Sequence, residues 1–135
     1  MQHILLIDDD FDDREFFCET LDEIDPALTC EHASNGLEAL NQLETKKLPD
    51  IVFLDLNMPH MNGFDFLEKF RSTKDFNKIP VIIYTTSDQV QDQKRAKELG
   101  AQGFFSKPAS LQTLGEKLRR LLNVNFFGND EFYLF

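Results

Sequence analysis

The sequence has no tryptophan, two cysteines and no apolar run long enough to span a membrane. Cys18 and Cys30 are too far apart for a C-x-x-C motif, and two cysteines give no metal-ligand spacing. We therefore expect two reduced, mostly buried thiols. Asp8 interrupts the apolar run that begins at Ile4, which argues against a signal peptide. These absences predict a cytoplasmic protein that does not enter a membrane.

Positive charge is also scarce. Fourteen Lys and Arg residues stand against 24 Asp and Glu residues, and the formal net charge is -10. Proteins bind duplex nucleic acid largely through Lys and Arg, so this balance argues against a nucleic-acid partner. Five of the acids fall within the six residues of segment 8–13. Acids this close repel one another unless a cation or lysines offset their charge.

What the chain does contain is a regular alternation of short apolar runs and helical patterns. We expect strands at residues 4–7, 28–33, 51–54, 81–84 and 104–105, with apolar residues at helical spacing after each. Five strand–helix pairs in strict order predict an α/β fold, a doubly wound parallel sheet with helices on both faces. The length of 135 residues fits one domain, which we expect to cover residues 1–122.

Polar side chains follow four of the expected strands. Asp8 and Asp9 follow the first strand, Asp55 the third, Thr85 the fourth and Lys107 the fifth. Because reactive groups gather outside the carboxyl ends of the strands in such sheets, we expect these side chains in one pocket. Three carboxylates in one pocket require a cation, and their oxygens suit Mg²⁺. A carboxylate can also attack phosphorus, while a lysine and a hydroxyl stabilise the phosphoryl charge.

Four blocks of this sequence resemble the response regulator receivers of two-component signalling. The blocks are ILLIDDD at residues 4–10, DIVFLDLNMPHMNGF at 50–64, PVIIYTTS at 80–87 and GFFSKP at 103–108. They stand in the family's order, and the resemblance covers residues 2 to about 122. It implies a flavodoxin-like sheet of strand order 2-1-3-4-5, the order of the family's chemotaxis member. It also implies a stand-alone signalling protein, not an enzyme beyond its own phosphorylation and dephosphorylation.

The resemblance assigns Asp55 as the phosphoacceptor. It implies that Mg²⁺ binds Asp9 directly, Asp8 mostly through water, Asp55, and the backbone carbonyl of Asn57. The phosphoryl donor would be a sensor histidine kinase or a histidine phosphotransfer protein. Because the sequence supplies no output domain, we expect a downstream protein partner.

The remaining assignments concern residues on or after the fourth and fifth expected strands. The resemblance implies that Thr85 and Lys107 each contact a phosphoryl oxygen, and that Phe104 is the switch aromatic. Phosphorylation would draw Thr85 inward and let Phe104 turn toward the core. The resemblance also suggests a cis peptide bond between Lys107 and Pro108 that aims the ammonium into the pocket. Thr86 stands where many relatives carry Ala, and its larger side chain would crowd access to the acceptor.

Three other interpretations compete with this one. An aspartate-nucleophile phosphatase would use the Asp-x-Asp pattern of residues 8–10, but the chain lacks a cap domain and a later acidic pair. A Ca²⁺-binding loop would use Asp8, Asp10, Asp12 and Glu19, but Asp13 stands where that loop requires glycine. On that ground, Asp10, Asp12 and Asp13 are assigned to a solvated loop and a helix start. The third is an adaptor that binds its partner without phosphorylation.

The segment 123–135 has a different character. It carries six large apolar side chains in thirteen residues, namely Phe126, Phe127, Phe132, Tyr133, Leu134 and Phe135. Disordered tails are usually poor in aromatic residues, so we expect these side chains to be anchored. They would pack either on their own domain or across a homodimer interface. The homodimer is favoured because Phe and Tyr are enriched in interface cores.

Overall fold

The computed structural model describes residues 2–128 and 130–135, which form one parallel sheet covered by helices on both faces. The strands are β1 His3–Ile7, β2 Thr29–Ala33, β3 Ile51–Leu54, β4 Val81–Thr85, β5 Gly103–Ser106 and β6 Tyr133–Leu134. The helices are α1 Phe11–Ile24, α2 Gly36–Thr45, α3 Gly63–Ser72, α4 Val90–Glu98 and α5 Leu111–Leu122. The strand order is β2-β1-β3-β4-β5-β6. The predicted order 2-1-3-4-5 is confirmed, and a short sixth strand extends it.

The sheet divides the interior into two apolar layers. Along β1, Leu5 and Ile7 point to the layer covered by α2, α3 and α4. Ile4 and Leu6 point to the opposite layer, which α1 and α5 cover. Side chains of a strand alternate between faces, so a wholly apolar run fits a strand that is buried on both sides. This is why the short apolar runs could be assigned to central strands.

The helices begin and end at residues that satisfy their free backbone groups. Asn35 caps α2, its side chain accepting a hydrogen bond from the Glu38 amide. Gly100 follows α4 with a positive φ of 97°, a conformation that glycine adopts without steric cost. None of the helices in the described part of the chain has the length and apolar composition needed to cross a membrane.

The two cysteines are bonded to each other, so the prediction of reduced thiols is wrong for this structure. Cys18 lies in α1 and Cys30 in β2, with their Cα atoms 5.6 Å apart, and the two sulfurs form a disulfide. The sequence separation of 12 residues suggested no motif. The bond forms because α1 turns back and packs against β2 at the edge of the sheet.

The C-terminal segment packs on its own domain. β6 pairs with β5 in parallel, and the Phe135 amide donates to the Phe104 carbonyl at 2.9 Å. Phe126 is 5% exposed and its ring packs edge-on against that of Tyr133, at 5.4 Å between centroids. The structure therefore has the intrachain arrangement of the two that were expected. A homodimer stays a prediction, for which the exposed Phe127 would be available.

Two adjacent phenylalanines test whether this segment is packed in solution. Replacing the buried Phe126 with Ala should reduce the free energy of unfolding by about 3–5 kcal/mol, because it empties a filled apolar site. Phe127 is 61% exposed, so Phe127→Ala is the matched control and should change it by less than about 0.5 kcal/mol. Urea unfolding measures both values. Equal stability of the two variants would contradict the packing described here.

Candidate functional site

The carboxyl ends of β1 and β3 bring three aspartates together. Ile7 and Leu54 are register partners, so the residues that follow them, Asp8 and Asp55, leave the sheet side by side. The Asp55 amide donates to the Ile7 carbonyl at 2.9 Å, which continues the ladder past the strand end. One carboxylate oxygen from each of Asp8, Asp9 and Asp55 lies within 4.8 Å of the others. The structure thus brings together the three acids that the sequence pattern predicted to meet.

Lys107 enters this pocket from the end of β5. Its Nζ lies 2.8 Å from Asp8 Oδ2, 2.8 Å from Asp13 Oδ2 and 3.3 Å from Asp55 Oδ2. Its backbone amide donates to the Thr85 carbonyl at 2.7 Å, which fixes where the side chain starts. One ammonium group therefore faces three carboxylates, and its side chain is only 10% exposed.

The peptide bond between Lys107 and Pro108 is trans, so the prediction of a cis bond is wrong. The ammonium still reaches the acids. The extended β4–β5 pairing, continued by the Lys107 amide, already points the side chain toward the strand ends.

Burial controls the protonation equilibria of this pocket. It raises the pKa of Asp8 from 3.8 to about 6, and the positive charge of Lys107 offsets only part of this effect. Burial likewise raises the pKa of Asp55 above its ordinary value, again opposed by Lys107. Burial alone would lower the pKa of Lys107, but Asp13, Asp8 and Asp55 together raise it. The lysine therefore stays charged, and one positive charge is too little for the acids around it.

The residues present fit a hard divalent cation. Asp8 Oδ2 is buried and accepts no hydrogen bond from the residues that the structure describes, and Lys107 contacts it as an ion pair. Asp9 is exposed and gives the cluster an opening to solvent. Clustered carboxylate oxygens with a solvent-facing side are typical of Mg²⁺ sites, in which the ion keeps several waters.

Three further predicted residues lie around the acids. Thr85 ends β4 and is fully buried, and its Oγ1 accepts a hydrogen bond from the Ser87 amide at 3.3 Å. Asn57 is exposed, and its amide donates to Asp55 Oδ1 at 3.3 Å. Phe104 is 1% exposed and belongs to the apolar layer under α2, α3 and α4. Its ring is therefore already inward, which differs from the expectation that phosphorylation turns it inward.

A glycine shapes the loop beside Asp55. The Gly63 amide donates to the Leu56 carbonyl at 3.0 Å, which folds the loop back on the strand end. A Cβ at position 63 would overlap the Asp55 carbonyl oxygen and approach the Leu56 Cα to 2.8 Å. Only glycine allows this close approach, so Gly63 supports the geometry of the acid pocket.

Sequence reasoning missed Asp13 as a member of the site. It was assigned to a solvated loop and helix start, but its carboxylate bonds Lys107 across 94 residues of sequence. Asp13 lies in the first turn of α1, directly after the strand that carries Asp8. The signal that could have found it is this position, because the first turn of that helix lies at the same sheet edge as the strand ends.

The chain is similar to known response regulators in both sequence and structure. The family model for the response regulator receiver domain matches residues 4–119. Chemotaxis protein CheY1 of Helicobacter pylori is 33% identical over 124 residues, covering 90% of this chain and 98% of that protein. The structure is similar to the chemotaxis response regulator CheY4 of Vibrio cholerae, with a TM-score of 0.77, 30% identity and coverage of 90% and 98%. It is also similar to phosphorylated cyanobacterial phytochrome response regulator RcpA, with a TM-score of 0.81, 25% identity and coverage of 89% and 90%.

The raised pKa of Asp8 has a consequence for stability. A carboxyl whose folded pKa of about 6 exceeds the ordinary 3.8 favours folding while protonated, and this contribution is lost as pH rises from about 4 to 6. At pH 7 the buried charge should therefore cost stability in the metal-free protein. We expect Asp8→Asn to raise the free energy of unfolding by about 1–3 kcal/mol at pH 7, and by nothing measurable below about pH 4.

Asp50→Asn is the matched control, because the Gln2 amide, and with it the His3 amide, lowers the pKa of Asp50. That variant should lose stability at pH 7. Urea unfolding in EDTA at several pH values measures both changes. A loss of stability in Asp8→Asn at pH 7 would contradict the electrostatic description of the pocket.

Proposed function

Because the chain belongs to the response regulator receiver family, we propose that it accepts a phosphoryl group on Asp55 in a two-component phosphorelay. The observation that carries this proposal is the charge arrangement around Asp55. One lysine ammonium lies 3.3 Å from Asp55 Oδ2, and the oxygens of Asp8 and Asp9 lie beside it. Such a site combines a carboxylate nucleophile with cations that neutralise phosphoryl oxygens.

The reaction we propose is in-line transfer from a phosphohistidine. An Asp55 carboxylate oxygen attacks phosphorus, the bond from phosphorus to the imidazole nitrogen breaks, and that nitrogen keeps the electron pair. The product is an acyl phosphate on Asp55 and a free histidine on the donor. Lys107 and the Asn57 amide contact the two carboxylate oxygens of Asp55 and favour its ionised form, which is the nucleophile. Lys107 then contacts a phosphoryl oxygen, and Thr85 Oγ1 donates to another.

We assign the cation site to Mg²⁺, held by Asp8, Asp9, Asp55 and the Asn57 carbonyl. When bound, the ion would neutralise charge that develops on the phosphoryl oxygens. The chain's own contribution is the cluster of three carboxylates, in which the buried Asp8 Oδ2 is held by the Lys107 ion pair and by no hydrogen bond from the described residues. Asp8 and Asp55 are buried and Asp9 is exposed, so Asp9 is the member of the cluster that faces solvent.

The donor in this proposal is a sensor histidine kinase or a histidine phosphotransfer protein, and the output is a change in binding to a downstream protein. Thr85 and Phe104 form the switch. Thr85 is the register partner of Ser106, so a movement of Thr85 toward a phosphoryl group pulls on β5, which carries Phe104. The Phe104 ring is inward before phosphorylation, so the phosphoryl group would stabilise this arrangement rather than create it.

The acceptor is tested with a small phosphodonor. Acetyl phosphate with Mg²⁺ should add one phosphoryl mass to the wild-type protein, and EDTA should prevent it. Asp55→Asn removes the nucleophile and should abolish labelling. Asp50→Asn makes the same charge change at the opposite end of β3 and should be labelled like the wild type. Undiminished labelling of Asp55→Asn in intact-protein mass spectra would show that the acceptor is a different residue.

The switch is tested by hydrogen exchange in the same reaction. In the wild type, phosphorylation should slow exchange of the β5 and β6 amides, because Thr85 would tie β4 to the phosphoryl group and steady the strands beyond it. Thr85→Ala lacks the hydroxyl and should still be phosphorylated without this protection. Mass-spectrometric exchange on peptides covering residues 103–106 and 133–135 gives the comparison. Identical protection in the variant would argue against Thr85 as the coupling residue.

A further inference from the structure

Asp13 lies outside the family's motif blocks, and the proposed chemistry gives its contact with Lys107 no role. Asp13 Oδ2 is 2.8 Å from Lys107 Nζ, while the acceptor Asp55 is 3.3 Å away. The position of Asp13 is defined by the helix start, since its amide donates to the Asp10 side chain at 3.0 Å. The carboxylate is therefore fixed in the first turn of α1, and this position brings it to Lys107.

Lys107 Nζ donates hydrogen bonds to Asp13 and Asp55 and forms an ion pair with Asp8, so three carboxylates surround an ammonium group that has three N–H donors. A phosphoryl oxygen on Asp55 can bind Lys107 only if the ammonium moves away from one of these partners. A divalent cation would draw on Asp8 and Asp55, which belong to the cluster of candidate ligands. Asp13 does not belong to that cluster, so it would keep its hold on Lys107 when the cation is bound.

Asp13 draws the Lys107 ammonium away from the acceptor Asp55. Asp13 and Lys107 line one open cleft together with Phe16, Tyr84 and Pro108, and Asp55 is not part of that cleft. The contact with Asp13 therefore opposes the contact between Lys107 and the transferring phosphoryl group.

We propose that Asp13 is a positioning residue that restrains Lys107 and so slows phosphoryl transfer to Asp55. This inference rests on the proposed function, because it assumes that Lys107 assists the transfer. Asp13 acts through Lys107 and makes no contact with the phosphoryl group itself. The restraint applies to formation and to hydrolysis of the acyl phosphate, because both reactions would use the contact of Lys107 with a phosphoryl oxygen.

The test compares two neighbouring aspartates in the same helix turn. Asp13→Asn removes the charge that holds Lys107 and should raise the rate constant for labelling by acetyl phosphate and Mg²⁺ roughly threefold to tenfold. Loss of the resulting phosphoprotein should accelerate to a similar degree. Asp12→Asn is the matched control, because Asp12 is exposed in the same turn and the change in net charge is identical. That variant should change the rate less than about twofold.

A double-mutant cycle separates positioning from a general effect of charge. In a Lys107→Met background, the additional Asp13→Asn change should leave the slow labelling rate unaltered, because there is no ammonium to release. Equal acceleration in that background, equal acceleration by Asp12→Asn, or slower labelling of Asp13→Asn in the wild-type background would each overturn the inference. Absence of labelling in the wild type would instead remove the proposed function, so the two failures are distinguishable.

Discussion

The site depends on one lysine ammonium that three aspartates share, two of them buried. Lys107 contacts Asp8, Asp13 and Asp55, and burial raises the pKa of both Asp8 and Asp55 because one ammonium does not balance them. Charge that is poorly balanced in this way favours any added cation and any group that redistributes the lysine contacts. A divalent ion and a phosphoryl group do both. The unfavourable free energy of holding these carboxylates close together is therefore what favours the binding of a divalent ion and of a phosphoryl group.

The rest of the fold serves to hold this lysine in position. The end of β5 is hydrogen-bonded on both sides, at Ser106 and at Lys107. The Ser106 amide donates to the Phe135 carbonyl at 3.0 Å on the β6 side, and the Lys107 amide donates to the Thr85 carbonyl on the β4 side. β6 exists because Phe126, Tyr133 and Phe135 pack on the layer under α1 and α5. The aromatic segment at the C-terminus and the acid pocket are therefore connected through one strand.

The sequence predicted which side chains meet at the ends of the parallel strands. It did not predict the contacts that α1 makes with other elements. Strand ends are local, so Asp8 and Asp55 could be predicted to converge once neighbouring parallel strands were assigned. The position of Asp13 in the first turn after β1 indicates that it lies at this edge of the sheet, but its partner Lys107 follows β5, 94 residues away in the sequence. The disulfide between Cys18 and Cys30 likewise depends on how α1 packs over β2. β6 is two residues long, too short for any periodicity to indicate it.

The central claim is that Asp55 carries the phosphoryl group, and reductive trapping tests it most directly. Borohydride reduces an acyl phosphate to an alcohol but leaves a free carboxylate unchanged, so a phosphorylated aspartate becomes homoserine. After reaction with acetyl phosphate and Mg²⁺, peptide mapping should locate homoserine at position 55 and at no other aspartate. Homoserine at Asp8, the position that an aspartate-nucleophile phosphatase would use, or at no residue, would contradict this account.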